Sequence, residues 1–113
     1  MGKIIEIKDD NLKEALEAEK DLVLADFYAD WCGPCKMLTP ILEEISSEVE
    51  DVTIAKVNVD NNSTISRVHG VRNIPTILFF KNGEQVHKTV GVQTKAQLLE
   101  MISSNSSEDE QED

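Results

Sequence analysis

The sequence predicts an α/β domain in which one mixed five-stranded sheet is flanked by four helices. Three observations support this fold class. The unbroken apolar run LVLA within residues 21–28 is typical of a strand buried on both faces, as in a parallel sheet. Apolar side chains after residue 36 recur at helical spacing. The Asn82-Gly83 pair between two apolar runs indicates a hairpin, and therefore an antiparallel end to the sheet.

The first half of the chain reads as two strands, each followed by a helix. Residues 3–7 form the first strand, and Asp9 and Asp10 can cap the helix after it. Residues 21–28 form the second strand. The helix that follows has an apolar face made of Leu38, Ile41, Leu42, Ile45 and Val49.

The second half adds strands at residues 51–59, 77–81 and 85–90. A short helix opens at residues 61–63, and Thr94 with Gln97 forms a capping box for the last helix. Helical crossovers between the early strands make that part of the sheet parallel, with helices on both faces.

Both cysteines of the chain, Cys32 and Cys35, lie in the stretch WCGPC between the second strand and the second helix. Cys32 is expected at the helix N-terminus, where unpaired N–H groups and the helix dipole favour a thiolate. Cys35 would lie about one turn further in. Gly33 permits a tight turn, and Pro34 fixes φ near a helical value. The pattern predicts a dithiol that makes and breaks disulfides; half of a zinc site and an incidental pair are the alternatives.

Composition limits the possible functions. At 113 residues the chain is long enough for one domain with its own core. Its 22 acidic and 11 basic residues give a net charge of −11, so nucleic acid and anionic membranes are poor partners. No apolar run approaches the roughly 18 residues of a membrane span. Residues 1–104 are expected to form the domain, and 105–113 an acidic, disordered tail.

Cysteine usage and the N-terminal sequence favour a cytoplasmic protein. The stretch MGKIIEIKDDN lacks the apolar segment and the small-residue cleavage site of a signal peptide. Two cysteines cannot build a disulfide framework, and C-x-x-C in a cytosolic chain with a βαβ pattern is typical of redox motifs.

Several motifs together resemble the thioredoxin family. They are DFYADWCGPCK followed by a helical proline, IAKVNVD, NIPT at residues 73–76, FFKNG, and VGVQTK before the last helix. The resemblance covers nearly all of residues 22–102. It implies the thioredoxin fold and a cytoplasmic, monomeric protein-disulfide reductase with no bound cofactor. It also implies that an NADPH-dependent thioredoxin reductase supplies electrons to Cys32 and Cys35, which pass them to protein disulfides.

Two charged residues interrupt predicted strands. Asp26 could face water at a strand end, whereas the resemblance implies a buried acid behind Cys35. Burial raises the pKa of an aspartate and makes it a plausible proton acceptor near neutral pH. Lys56 could be an edge lysine, but in the family the matching lysine lies close to the buried aspartate, which implies that Lys56 tunes this acid.

The resemblance also implies a substrate-binding surface. The bond between Ile74 and Pro75 would be cis, although the sequence alone fits an ordinary proline at the start of a strand equally well. The backbone of Ile74 would then be open to an extended substrate segment. Trp31, Ile74, Pro75 and Gly91 would form a flat apolar rim around Cys32.

Two positions depart from the family pattern. Tyr28 stands where many relatives have tryptophan, so Trp31 is the only indole, and Asn73 occupies a position that is often glycine. His69 and His87 are interpreted as structural or surface residues, because zinc would need further ligands in the same place. No metal site is therefore expected.

The predicted mechanism begins with attack of the Cys32 thiolate on a substrate disulfide, which forms a mixed disulfide. Cys35, deprotonated with the help of Asp26, then attacks Cys32 and releases the reduced substrate. A thiol oxidase or isomerase, a docking module and a zinc-linked dimer are the alternatives. By resemblance, the Gly-Pro pair between the cysteines favours the reductase.

Overall fold

The computed structural model describes residues 2–106, in which strands and helices follow the predicted order. The elements are β1 (Lys3–Glu6), α1 (Leu12–Ala18), β2 (Leu22–Tyr28), α2 (Gly33–Glu48), β3 (Val52–Asn58), α3 (Ser63–Val68), β4 (Thr76–Lys81), β5 (Glu84–Val90) and α4 (Lys95–Ser106). None of the helices within residues 2–106 is long and apolar enough to cross a membrane.

The strands form one sheet with the order β1-β3-β2-β4-β5. β3 pairs in parallel with β1 and β2, whereas β4 pairs antiparallel with β2 and β5. The prediction of a mixed five-stranded sheet is confirmed. β2 is hydrogen-bonded on both sides, and every residue of it except the half-buried Tyr28 is buried, as the apolar run predicts.

Helices cover both faces of the sheet. On one face, α2 and α4 contribute the buried side chains Leu38, Leu42, Ile45, Leu98 and Ile102. On the other face, α1 contributes Leu12 and Leu16. Successive strand residues point to opposite faces, so the even-numbered positions of β2 and β3 face α2 and the odd-numbered positions face α1. Any functional side chain at an even position of β2 therefore lies beneath the cysteine-bearing helix.

The start of α1 differs from the prediction. Asn11 is its N-cap residue, and neither Asp9 nor Asp10 caps it. Asp10 instead accepts a hydrogen bond from the backbone N of Ile65 at 3.1 Å, in the first turn of α3. The backbone N of Asp10 donates to Oδ1 of the buried Asn62 at 2.8 Å. Asp10 therefore does cap a helix, but the tertiary structure makes that helix α3 and not α1.

The C-terminal elements follow their local signals. Asn82 and Gly83 have φ values of 53° and 83°, as a tight two-residue hairpin requires. The capping box is confirmed, because Gln97 N donates to Thr94 Oγ1 at 3.0 Å and Thr94 N donates to Gln97 Oε1 at 2.9 Å. α4 includes the first two residues of the segment predicted as a tail, and the rest of that segment, 107–113, lies outside the described residues.

Candidate active site

The two cysteines lie where β2 meets α2. β2 ends at Tyr28 and α2 begins at Gly33, so Cys32 is the N-cap residue of α2. Cys32 and Cys35 are disulfide-bonded, with Cα atoms 5.3 Å apart. The backbone N–H of Cys35 donates a hydrogen bond to Cys32 Sγ at 3.2 Å. Because this N–H belongs to the first turn of a helix, it stabilises negative charge on Cys32 once the disulfide is reduced.

The two residues between the cysteines begin α2. Pro34 lies in the first two helical positions, where no intrahelical hydrogen bond is lost. A Cβ atom on Gly33 would meet no other atom within 4 Å, and its φ is not left-handed. The backbone therefore does not require glycine at this position. The missing side chain instead leaves the surface beside Cys32 open.

The loop before β4 lies beside Cys32. The Ile74–Pro75 peptide bond is cis, and the carbonyl oxygen of Ile74 lies 3.9 Å from Cys32 Sγ. The backbone N of Gly91 donates to the carbonyl oxygen of Pro75 at 2.8 Å, and Gly91 has a φ of 91° that favours glycine. Asn73 has no positive φ, so the loop does not need the glycine common in the family. Ile74, Pro75 and Gly91 are thus connected to one another next to Cys32.

Trp31 is an exposed apolar residue adjacent to Cys32. Its side chain is 69% exposed, and the indole Nε1 donates to Asp60 Oδ2 at 2.9 Å. The backbone N of Asp60 donates in turn to Asn58 Oδ1 at 2.9 Å. An exposed ring is therefore held in one orientation. The sequence analysis did not identify Asp60, because only the fold brings the end of β3 beside the β2–α2 turn.

Asp26 and Lys56 face each other on neighbouring strands. They are register partners in β2 and β3, at even positions beneath α2. Asp26 is 1% exposed, and Lys56 Nζ donates to its Oδ2 at 2.9 Å. The other carboxylate oxygen, Oδ1, has no hydrogen-bond partner within residues 2–106. Of the two positions considered for Asp26, the structure shows the buried one.

The environment of Asp26 acts on its pKa in opposite directions. Burial raises the pKa, because the ionised carboxylate loses its hydration. The charge and the hydrogen bond of Lys56 lower it, and the charge of Glu6 raises it slightly. Desolvation is the largest of these effects, so the pKa of Asp26 lies above its ordinary value.

A cleft brings Lys56 of this ion pair and Cys35 to one cavity. It has a volume of about 280 Å³ and is lined by Tyr28, Ala29, Asp30, Cys35, Lys36, Thr39 and Lys56. Cys35 and Lys56 therefore share one cavity, which is large enough to hold water. Cys32 is not among its lining residues. The two sulfurs thus have different surroundings, with the loop of Ile74 beside Cys32 and the cleft beside Cys35.

The two histidines pack against aromatic core side chains. The ring centroid of His69 lies 6.4 Å from that of Phe27 and 5.8 Å from that of Phe80, and His87 lies 5.3 Å from Phe79. Burial lowers the pKa of His69. Within the described part of the chain, no group of three or more His, Cys, Asp or Glu side chains could hold a metal ion.

The raised pKa of Asp26 should be visible in protein stability. Between the unfolded-state pKa and the higher folded-state pKa, the folded protein keeps a proton that the unfolded chain has released. The free energy of unfolding should therefore fall as the pH rises from about 4 through the folded-state pKa. Each unit of pKa difference corresponds to about 1.4 kcal/mol. Asp26→Asn should remove this decrease.

Denaturant unfolding of the oxidised protein at several pH values measures this difference. The stability of Asp26→Asn relative to wild type should increase with pH. The amide does not ionise, so the variant avoids the cost of a buried, dehydrated carboxylate. Asp51→Asn, at an exposed position, should follow the wild-type pH profile. A constant or decreasing difference for Asp26→Asn would contradict the raised pKa.

Comparison with known proteins identifies the family of this chain. A protein-family model described as thioredoxin matches residues 3–104. The thioredoxin of Rickettsia felis is 53% identical over 91 residues, which are 80% of this chain and 86% of that protein. The thioredoxin of Chlamydia caviae is 48% identical over 85 residues, which are 75% of this chain and 83% of that protein.

The solved structure of a mutant thioredoxin from Halobacterium salinarum NRC-1 is also similar. It has a TM-score of 0.84 and 39% sequence identity, with 92% of this chain and 91% of that chain covered. The disulfide between Cys32 and Cys35 is the expected redox group of such a protein. The chain therefore belongs to the thioredoxin family and is a thiol–disulfide oxidoreductase.

Proposed function

We propose that this chain reduces disulfide bonds in other proteins, with Cys32 as the attacking sulfur. The observation that carries the proposal is the position of Cys32. Its sulfur accepts the N–H of Cys35 at the start of α2 and lies 3.9 Å from the carbonyl oxygen of Ile74. A sulfur in this position can form a stabilised thiolate beside a backbone segment that a substrate can approach.

The reaction moves two electrons from the cysteine pair to the substrate. The Cys32 thiolate attacks one sulfur of the substrate disulfide and forms a mixed disulfide, while the other substrate sulfur leaves as a thiolate and takes up a proton. The Cys35 thiolate then attacks Cys32 Sγ. This step releases the second substrate thiolate and forms the disulfide between Cys32 and Cys35. Gly33 and Pro34 hold both cysteines at one helix terminus, so the second step is intramolecular.

We propose that Asp26 accepts the proton that Cys35 loses. Water in the cleft that Cys35 and Lys56 share would transfer this proton. Lys56 both contacts Asp26 Oδ2 and lines the cleft with Cys35, which supports a connection between the acid and the thiol. A raised pKa brings the proton affinity of Asp26 closer to that of a thiol. Lys56 opposes this rise, so we assign it a tuning role.

Trp31, Ile74, Pro75 and Gly91 form the proposed docking surface. The exposed indole of Trp31 offers apolar contact area in a defined orientation, because its Nε1 is hydrogen-bonded. The backbone of Ile74 can pair with an extended substrate segment next to Cys32. Together they favour an unfolded or loop-borne disulfide as the substrate.

Membership of the thioredoxin family implies disulfide-bonded substrates and usually a reductase as a partner. We propose an NADPH-dependent thioredoxin reductase, because the oxidised cysteine pair must be reduced after each turnover. The same requirement favours the cytoplasm, where thiols are kept reduced. Both electrons come from the cysteines, so no bound cofactor is needed. We also propose that the chain acts as a monomer, because this state leaves the surface around Cys32 accessible.

Trapping experiments should separate the roles of the two cysteines. With a disulfide-bonded protein such as insulin, reduced Cys35→Ser should accumulate a covalent complex through Cys32, because the second step is removed. Non-reducing electrophoresis and mass spectrometry would detect the complex, and a reducing agent should cleave its mixed disulfide. Cys32→Ser should lose turnover and form no such complex. A complex with Cys32→Ser but not with Cys35→Ser would reverse the assignment.

Removal of the proposed base should slow only the second step. Asp26→Asn should attack a substrate disulfide at the wild-type rate but release the mixed disulfide more slowly, by about 100-fold or more, at neutral pH. Rapid-quench kinetics with a chromogenic disulfide can resolve the two steps. Asp51→Asn serves as the matched charge control. Equal slowing of both steps, or of neither, would count against Asp26 as the proton acceptor.

The reduction potential should distinguish a reductase from an oxidase or isomerase. Equilibration of the cysteine pair against dithiol buffers can be followed by the emission of Trp31, the only indole of the chain. We expect a value below the cytosolic glutathione potential of about −220 to −260 mV. Pro34→His should raise it. A wild-type value near about −180 mV would instead support an oxidase or isomerase.

A further inference from the structure

Three charged residues form a row across three neighbouring strands. Glu6 of β1 and Asp26 of β2 are both register partners of Lys56 in β3. Lys56 therefore lies between two carboxylates, one exposed and one buried. Its ammonium contacts the buried one, at 2.9 Å from Asp26 Oδ2. The register alone does not explain this choice, because both acids are neighbours of Lys56 in the sheet.

Tyr28 contacts two members of this row. It follows Asp26 by two positions in β2, and therefore lies on the same face of the sheet. Its hydroxyl donates a hydrogen bond to Glu6 Oε2 at 2.9 Å. Lys56 Nζ lies 4.5 Å from the centre of its ring, within the range of a cation–π contact. One side chain thus binds the exposed carboxylate and also the ammonium.

We propose that Tyr28 is a positioning residue that directs Lys56 onto Asp26 and keeps Glu6 from competing for it. The hydroxyl of Tyr28 holds the Glu6 carboxylate, and the ring of Tyr28 holds the Lys56 ammonium on the side of Asp26. The consequence for catalysis rests on the proposed role of Asp26 as proton acceptor. The consequence for the pKa of Asp26 does not rest on that role, because it follows from the contacts of Tyr28 with Glu6 and Lys56.

Charge and solvation give the physical reason for this arrangement. An exposed lysine–glutamate pair gains little, because water screens both charges. Lys56 loses solvent when it contacts Asp26, and the face of an aromatic ring partly replaces that solvent. Without the tyrosine hydroxyl, Glu6 would be free to compete for Lys56. The ion pair between Lys56 and the buried carboxylate of Asp26 would then be weakened.

Two further charged residues lie close to this row. Asp30, which acts electrostatically on Tyr28, and Lys36 of α2 both line the adjoining cleft. On the opposite side of Asp26, β4 contributes the apolar Ile77 as the register partner. The interpretation therefore depends on variants that change Glu6 and Tyr28 while these groups stay constant.

A double-mutant cycle on the oxidised protein tests the proposal, because the disulfide-bonded cysteines do not titrate there. The readout is the pKa of Asp26, followed by NMR of its ¹³C-labelled carboxyl group. Tyr28→Phe keeps the ring and removes the hydroxyl, and should raise this pKa by about half a unit, a roughly threefold change in proton affinity. Glu6→Gln should lower it, because a negative charge is removed.

The combination of variants separates the two parts of the proposal. In the Glu6→Gln background, Tyr28→Phe should no longer shift the pKa of Asp26, because no competing carboxylate remains. Tyr28→Leu, which also removes the ring, should raise the pKa in both backgrounds. Equal shifts from Tyr28→Phe with and without Glu6, or no shift from any Tyr28 variant, would overturn the proposal.

The kinetics of mixed-disulfide release distinguish this proposal from the role of Asp26. If Asp26→Asn leaves release unchanged while Tyr28→Phe shifts the Asp26 pKa, the positioning proposal stands and the proton-acceptor role fails. If Asp26→Asn slows release but substitutions of Tyr28 and Glu6 leave the pKa of Asp26 unchanged, the proton-acceptor role stands and the positioning proposal fails. Asp51→Asn, remote from the row, should change neither measurement.

Discussion

The pairing of β2 with strands on both sides is the constraint on which the site depends. Because β3 and β4 enclose it and helices cover both faces, a side chain inside β2 is cut off from water. Asp26 occupies such a position, and the chain leaving the end of this strand leads directly to Cys32 at the start of α2. Open α/β sheets place their sites at the C-terminal ends of central strands. Here one strand supplies both a buried acid and the connection to the cysteine pair.

The ion pair beneath α2 is a compromise between two electrostatic effects. Lys56 compensates part of the cost of burying a carboxylate, but Oδ1 of Asp26 has no partner within residues 2–106 and desolvation still dominates. Buried ion pairs contribute little to stability on balance, because the loss of hydration offsets the attraction. We propose that the pair has a chemical role instead, because Lys56 lines the same cleft as Cys35. Control of its geometry by Tyr28 would extend the site to the exposed edge of the sheet at Glu6.

Sequence reasoning succeeded where the signal and its partner are close in the chain. The hairpin at Asn82-Gly83 and the capping box of Thr94 with Gln97 each lie within four residues, and both form as expected. It failed for Asp10, whose backbone and side chain find their partners near α3 instead of in the adjacent helix. It also missed Asp60 as the partner of Trp31 and Glu6 as the partner of Tyr28, since nothing in the local sequence marks these residues.

The sequence by itself determined the order of the elements, the burial of β2 on both faces, and the placement of both cysteines at a helix N-terminus. These properties follow from periodicity and spacing within a few residues. Only the tertiary structure decided that Asp26 is buried against Lys56, that the carbonyl of Ile74 meets Cys32, and that Tyr28 binds Glu6. Each of these contacts joins residues 22 to 42 positions apart. The pairing register of the strands and the path of the connecting loops decide such contacts, and both are set by the packing of the whole core.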